Sequence, residues 1–144
     1  MSSPHRKSIL VVDDAATVRL YHRKVLGEAG WRTAEACNGV EALEAVQAAD
    51  DPFDLFVVDI NMPRMDGYAF VRELRRLPAA VQAPVVMVST EAKAQDASAG
   101  FDAGVNCYLV KPSRPHELLL SVALLLGERA VAERACAHLA GVPA

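Results

Sequence analysis

The residues of this chain whose types could do chemistry together are Asp13-Asp14, Asp59, Ser89-Thr90 and Lys111-Pro112. Each set directly follows an apolar, β-branched run: Ile9-Leu10-Val11-Val12, Leu55-Phe56-Val57-Val58, Val85-Val86-Met87-Val88 and Tyr108-Leu109-Val110. Residues that leave successive strands of a parallel sheet gather at one edge, however far apart they lie in sequence. Three carboxylates, a hydroxyl and an ammonium would then share one place. Carboxylates that close repel one another unless a cation sits among them. Mg²⁺ suits the role, because it takes oxygen ligands octahedrally and needs only one or two carboxylates plus phosphate oxygens. An ammonium at Lys111 can pair with Asp59 and later with a phosphoryl oxygen, the charge neutralisation that phosphoryl transfer requires. A carboxylate can itself be the nucleophile and become an acyl phosphate. Each piece alone has a plainer reading: aspartates cap helices, lysine usually lies at the surface, and Ser89 could simply hydrogen-bond at a strand end.

The elements that must position these residues alternate in period from end to end. A strand over 8–12 is followed by a helix over 16–29, with Val18, Tyr21, Val25 and Ala29 at helical spacing on one face. Gly30 suits the position just past that helix. A short strand over 32–36 precedes Asn38-Gly39 and a helix carrying Val40, Leu43 and Val46, stopped by Asp50-Asp51-Pro52. The third strand, 55–58, enters a loop rich in Pro and Gly, 61–67, before a helix holding Phe70, Val71, Leu74 and Leu77. Pro84 opens the fourth strand. A small-residue helix over 92–103, Gly104 and a fifth strand follow, and the fifth helix starts near Pro115, proline being favoured at a first helical position. Five βα repeats with nearly continuous apolar strands indicate a parallel sheet with helices on both faces. The Ala-rich remainder, 127–144, is a helical C-terminal extension that either continues the last helix or forms a small separate one. Its Val131 and Leu139 could pack within the chain or serve a partner.

Composition narrows the function classes. At 144 residues, 52% hydrophobic and 23% charged, the chain is one ordinary globular domain in size and make-up. Its formal net charge of -3 gives a nucleic-acid role no global support. The local run Arg72, Arg75, Arg76 reads as a solvated helix face. No apolar stretch approaches the roughly 20 residues of a membrane span, and the polar start, 1–8, lacks a secretory h-region. A cytoplasmic protein with reduced Cys37, Cys107 and Cys136 is expected. His5, His22, His116 and His138 have no metal-ligand spacing, so zinc is not expected.

The pieces Val11-Val12-Asp13-Asp14, Asp59-Ile60-Asn61-Met62-Pro63-Arg64-Met65-Asp66-Gly67, Val88-Ser89-Thr90-Glu91-Ala92-Lys93 and Tyr108-Leu109-Val110-Lys111-Pro112, in that order, resemble the receiver domain of two-component response regulators. The nearest resemblance is to the single-domain, CheY-like regulators, and it spans residues 7–126. It implies the flavodoxin-like strand order 2-1-3-4-5, which periodicity alone does not give. It also implies a phosphorylation-activated switch, in which Asp59 accepts a phosphoryl group from a sensor histidine kinase or a histidine phosphotransfer protein. Asp13, Asp14 and Asp59 would hold Mg²⁺ with the backbone carbonyl of Asn61. Ser89 and Lys111 would bond the phosphoryl group, the Lys111-Pro112 peptide being typically cis in the family. Tyr108 matches the aromatic that turns inward when the switch hydroxyl moves. The signal would pass to a downstream protein at the face of the fourth helix, fifth strand and fifth helix. The same face offers weak dimerisation to an otherwise monomeric protein.

Two departures accompany the resemblance. Ser89 stands where threonine is commoner and keeps the hydroxyl. Ser113 stands where a large apolar residue is usual. Three other readings compete with the switch. A haloacid-dehalogenase-type phosphatase also uses a strand-end aspartate and Mg²⁺, but it wants an acid at the position of Ala15. A flavodoxin would need a Ser/Thr/Gly-rich phosphate loop after the first strand. A receiver-shaped scaffold that works without phosphate suits chains lacking site residues, and none is lacking here. The switch would phosphorylate and dephosphorylate itself and turn over no external substrate.

Overall fold

The computed structural model of the chain describes residues 6–60, 62, 65–78, 83–89, 104–111 and 114–141. Five parallel strands, β1 (Ser8–Val12), β2 (Arg32–Ala36), β3 (Leu55–Asp59), β4 (Val85–Ser89) and β5 (Cys107–Val110), form one sheet in the order β2-β1-β3-β4-β5. This is the strand order that the resemblance implied. The helix expected over 92–103 lies outside the described residues.

Alternation along each strand divides the core into two halves. Leu10, Val12, Phe56, Val58, Val85 and Met87 face one side, where they meet α2 (Gly39–Ala48) and α3 (Gly67–Leu74) through Ala42, Val46, Phe70, Val71 and Leu74. Ile9, Val11, Leu55, Val57, Val86 and Val88 face the other, beneath α1 (Ala16–Glu28) and α4 (Pro115–Leu126), which contribute Val25, Leu26, Leu118, Val122 and Ala123. Both faces of the central strands are dry, so those strands carry no alternating polar pattern.

In α1 the buried stripe is His22, Val25 and Leu26, and Tyr21 is exposed. The stripe expected from spacing is thus turned by about one residue. Leu26 packs in the core half that contains Ile9 and Val11, while Tyr21 lies at the surface. The ends of α2 and α3 follow local chemistry. The Asn38 side chain accepts the Glu41 N–H at 2.8 Å, and the Asp66 carboxylate accepts the Ala69 N–H at 2.8 Å. Arg72 and Arg76 are exposed as a solvated face requires, but Arg75 is half-buried. Its guanidinium donates to the carbonyls of Ala83 (2.5 Å) and Gly104 (2.7 Å) and to the Asn106 side chain (3.2 Å). Burial lowers its pKa from the ordinary arginine value. It pins the approach to β4 against the approach to β5.

The last residues form a separate helix, α5 (Arg129–Leu139). Gly127 makes the break: its φ of 73° is the left-handed conformation that glycine tolerates, and the Glu128 N–H returns to the Ala123 carbonyl at 2.8 Å. Ala132 and Ala135 are buried and Val131 is half-buried against α4 and its neighbours, so Val131 packs within the chain. The rings of His116 and His138 stack across the α4–α5 contact with centroids 3.5 Å apart. The helix is therefore a small, locally held unit on the α1/α4 side. Replacing Ala135, which is 1% exposed, by glutamate would bury a charge at roughly 1–3 kcal/mol or more and detach α5. Amide hydrogen exchange should then show α5 unprotected while β1, β3 and β4 keep their protection; equal loss in the sheet would contradict this independence.

Candidate functional site

Register explains the geometry of the acidic edge. Val12 pairs with Val58, so Asp13 and Asp59 leave adjacent strands side by side. Ser89 pairs with Val110, so Lys111 starts one residue beyond the end of β4, where its N–H donates to the Ser89 carbonyl at 2.7 Å. From there the Lys111 side chain crosses the ends of β4 and β3. Its ammonium donates to Asp13 Oδ2 at 2.8 Å and to Asp59 Oδ1 at 3.1 Å. Asp13, Asp59 and Ser89 are 1%, 5% and 3% exposed, which makes these interactions internal rather than surface ones. Asp14 is exposed, yet carboxylate oxygens of Asp13, Asp14 and Asp59 all lie within 4.8 Å of one another. Opposite ligands of an octahedral Mg²⁺ stand about 4.2 Å apart, so the three carboxylates suit direct or water-mediated cation binding.

The capping alternative has a limited part in this site. Ala15, not either aspartate, is the N-cap of α1, and no side chain caps the helix. Asp13 Oδ1 does accept the Ala15 N–H at 2.9 Å, leaving Oδ2 to Lys111. The Arg19 guanidinium donates to the Asp13 carbonyl at 2.7 Å, fixing the strand end from the helix side. Burial alone would lower the Lys111 pKa. The hydrogen bonds and charges of Asp13 and Asp59 outweigh it and hold the ammonium above its ordinary value, so it is charged at neutral pH.

Beyond Asp59, the chain is held close. The Ile60 N–H donates to the Val88 carbonyl at 3.2 Å, and the Gly67 N–H returns to the Ile60 carbonyl at 2.9 Å. A Cβ on Gly67 would stand 2.5 Å from the Asp59 carbonyl oxygen, so only glycine fits there. Of the residues singled out by sequence, the structure brings together Asp13, Asp14, Asp59 and Lys111, with Ser89 at the neighbouring strand end. Asn61, Thr90, Pro112 and Ser113 lie outside the described residues. Tyr108 sits half-buried on β5, and its hydroxyl donates to Tyr68 Oη at 3.0 Å. Sequence reading overlooked Tyr68; its place directly after Asp66-Gly67, next to the acceptor loop, was the available signal. A groove of about 1010 Å³ among α1, α4 and α5 is lined by Tyr21, Val25, Leu119, Val131 and Ala135 among others, and includes none of the acidic-edge residues.

With this geometry, the chain belongs to the response regulator receiver domain family, whose model matches residues 9–123. It is a CheY-like receiver of two-component signalling, a class of switches rather than classical enzymes. The Chemotaxis protein CheY1 of Helicobacter pylori is 35% identical over 120 residues, covering 83% of this chain and 96% of that protein. The Sensor histidine kinase CheAY of the same organism is 36% identical over 111 residues, 77% of this chain but only 14% of the kinase. Among solved structures, Vibrio cholerae CheY4 matches with a TM-score of 0.79 and 33% identity over 85% of this chain and 100% of that one. The receiver domain of the Pseudomonas aeruginosa sensor histidine kinase PA1611, described with a magnesium ion in its active-site cleft, matches with a TM-score of 0.77 and 25% identity over 85% of this chain and 99% of that one. No described helix is long and apolar enough to cross a membrane.

Behind the acidic edge, His22 is 3% exposed and its Nδ1 has no partner among the described residues. Burial lowers its pKa to about 4, against the attraction of Asp13 and aided by the repulsion of Lys111. The folded value lies below the unfolded one of about 6.5. Stability is therefore complete above pH 6.5 and declines as pH falls toward 4, where the unfolded chain takes a proton that the folded chain refuses. The window corresponds to a loss on the order of 3 kcal/mol. Denaturant unfolding of wild type and His22→Leu at pH 7 and pH 4.5 should show a steeper acid loss in wild type; parallel losses would contradict it.

Proposed function

We propose that the chain is a phosphorylation-activated switch whose acceptor is Asp59. The single observation that carries this reading is the half-buried Lys111 ammonium bridging the buried Asp13 and Asp59 at 2.8 and 3.1 Å. A carboxylate held against a cation at a strand end is poised to attack, and the same ammonium can follow charge onto a phosphoryl oxygen. In the transfer, an Asp59 carboxylate oxygen forms a bond to phosphorus as the P–N bond of a partner's phosphohistidine breaks, and the leaving imidazole takes a proton. The product is an acyl phosphate. The partner would be a sensor histidine kinase or a histidine phosphotransfer protein. That receivers occur within histidine kinases such as the CheAY relative supports this partnership.

Asp13, Asp14 and Asp59, with the Asn61 carbonyl, would hold Mg²⁺. The bound ion would offset charge on the phosphoryl oxygens. The mutual reach of the three carboxylates and the magnesium described in the PA1611 receiver support that assignment. The Ser89 hydroxyl, at the end of β4, would bond the phosphoryl group beside Lys111. Movement of that hydroxyl would let Tyr108 turn inward, changing the face made of residues 92–103, β5 and α4, where a downstream protein or a weak dimer partner would read the state. This is a local charge event biasing a two-state element. The chain would catalyse only its own phosphorylation and dephosphorylation, in the cytoplasm.

Incubation with acetyl phosphate and Mg²⁺ should add one phosphoryl mass to the wild type by intact-mass spectrometry, and none to Asp59→Asn. No adduct in the wild type, or the same adduct in the variant, would overturn the reading.

A further inference from the structure

Tyr68 stands where the acceptor loop becomes α3, and two constraints tie it to Asp59. The Gly67 N–H is bonded to the Ile60 carbonyl at 2.9 Å, and the Gly67 Cα approaches so closely that a Cβ would lie 2.5 Å from the Asp59 carbonyl. Asp66 caps the same turn through the Ala69 N–H, so Tyr68 projects from a rigid start of helix. Its hydroxyl accepts the Tyr108 hydroxyl at 3.0 Å across 40 residues of sequence. Both rings are half-buried against the core half that contains Phe70 and Met87. A phenol pair in this position has one hydrogen bond to gain by staying together and loses it when either ring turns away. The bond runs from the loop carrying the acceptor to the strand that would carry the signal.

We propose that Tyr68 is a positioning residue of the switch: its hydroxyl is a catch that holds Tyr108 in the resting orientation. The inference rests on reading Tyr108 as the switch aromatic, and it adds the group that sets how readily that ring moves. Turning Tyr108 breaks the catch, so the catch biases the resting state by roughly twofold to tenfold, the weight of one half-buried neutral hydrogen bond. Phenylalanine at position 68 keeps the ring and removes the hydroxyl that makes the catch.

The chain has three tyrosines, Tyr21, Tyr68 and Tyr108, so fluorotyrosine labelling gives a fluorine NMR spectrum that single substitutions assign. In the resting protein, Tyr68→Phe should shift the Tyr108 resonance. On titration with beryllofluoride and Mg²⁺, Tyr68→Phe should bind the phosphoryl mimic roughly twofold to tenfold more tightly than wild type. Tyr108→Phe should also give a gain, and the double variant less than the sum of the two, since both break the shared bond. An unmoved Tyr108 resonance with unchanged affinity, a weaker affinity in Tyr68→Phe, or additive gains would overturn the catch. A wild type that takes up no beryllofluoride would overturn the Asp59 reading instead, and the resting-state shift would then decide the catch by itself.

Discussion

The Lys111 ammonium between the buried carboxylates of Asp13 and Asp59 is the interaction on which the site depends. Three carboxylates against one ammonium leave a formal excess of two negative charges at a single sheet edge. Such a cluster is a poor source of stability, because desolvating charges offsets much of what their attraction returns. Its value is chemical. The arrangement concentrates negative charge that a divalent cation can satisfy, with the Lys111 ammonium beside it. Removing Lys111 would leave the buried carboxylates of Asp13 and Asp59 facing each other with no cation between them.

The rest of the fold serves that placement. Parallel register puts Asp13 beside Asp59 and Lys111 one residue beyond Ser89, without any long-range recognition between the loops themselves. Two dry core halves keep the strand ends from shifting relative to one another. Arg19 fixes the backbone at Asp13, Gly67 closes tightly on Asp59, and Arg75 ties the segments leading into β4 and β5. Through Tyr68 and Tyr108, the start of α3 and β5 share a hydrogen bond. The α5 helix and its histidine stack are an addition to the α1/α4 surface.

Much of this was legible in the sequence because the strands are short apolar runs that stop at charged residues. The strand positions and the juxtaposition of Asp13, Asp59 and Lys111 followed from that pattern, and only the strand order had to come from resemblance. Side-chain direction was harder to read. Tyr21 counts as apolar and His22 as polar, yet packing over Ile9 and Val11 buries His22 and exposes Tyr21. Arg75 reads as one of three solvated arginines, but the carbonyls of Ala83 and Gly104, distant in sequence, take its guanidinium inward. The separate α5 hinged on one left-handed residue, Gly127, which composition alone could not distinguish from an interruption within a longer helix. The Tyr68–Tyr108 contact joins residues 40 positions apart, and no local pattern encodes it.

The central claim is that the acidic edge is a cation site, its negative excess only partly offset by Lys111 between Asp13 and Asp59. Thermal unfolding across a Mg²⁺ titration addresses it directly, since a ligand of the folded state adds about 1.4 kcal/mol of stability per tenfold excess over its Kd. Wild type should gain stability with Mg²⁺, Asp13→Asn should lose most of that gain, and Lys111→Met should keep it, because the competing ammonium is gone. An equal gain in wild type and Asp13→Asn would contradict the account.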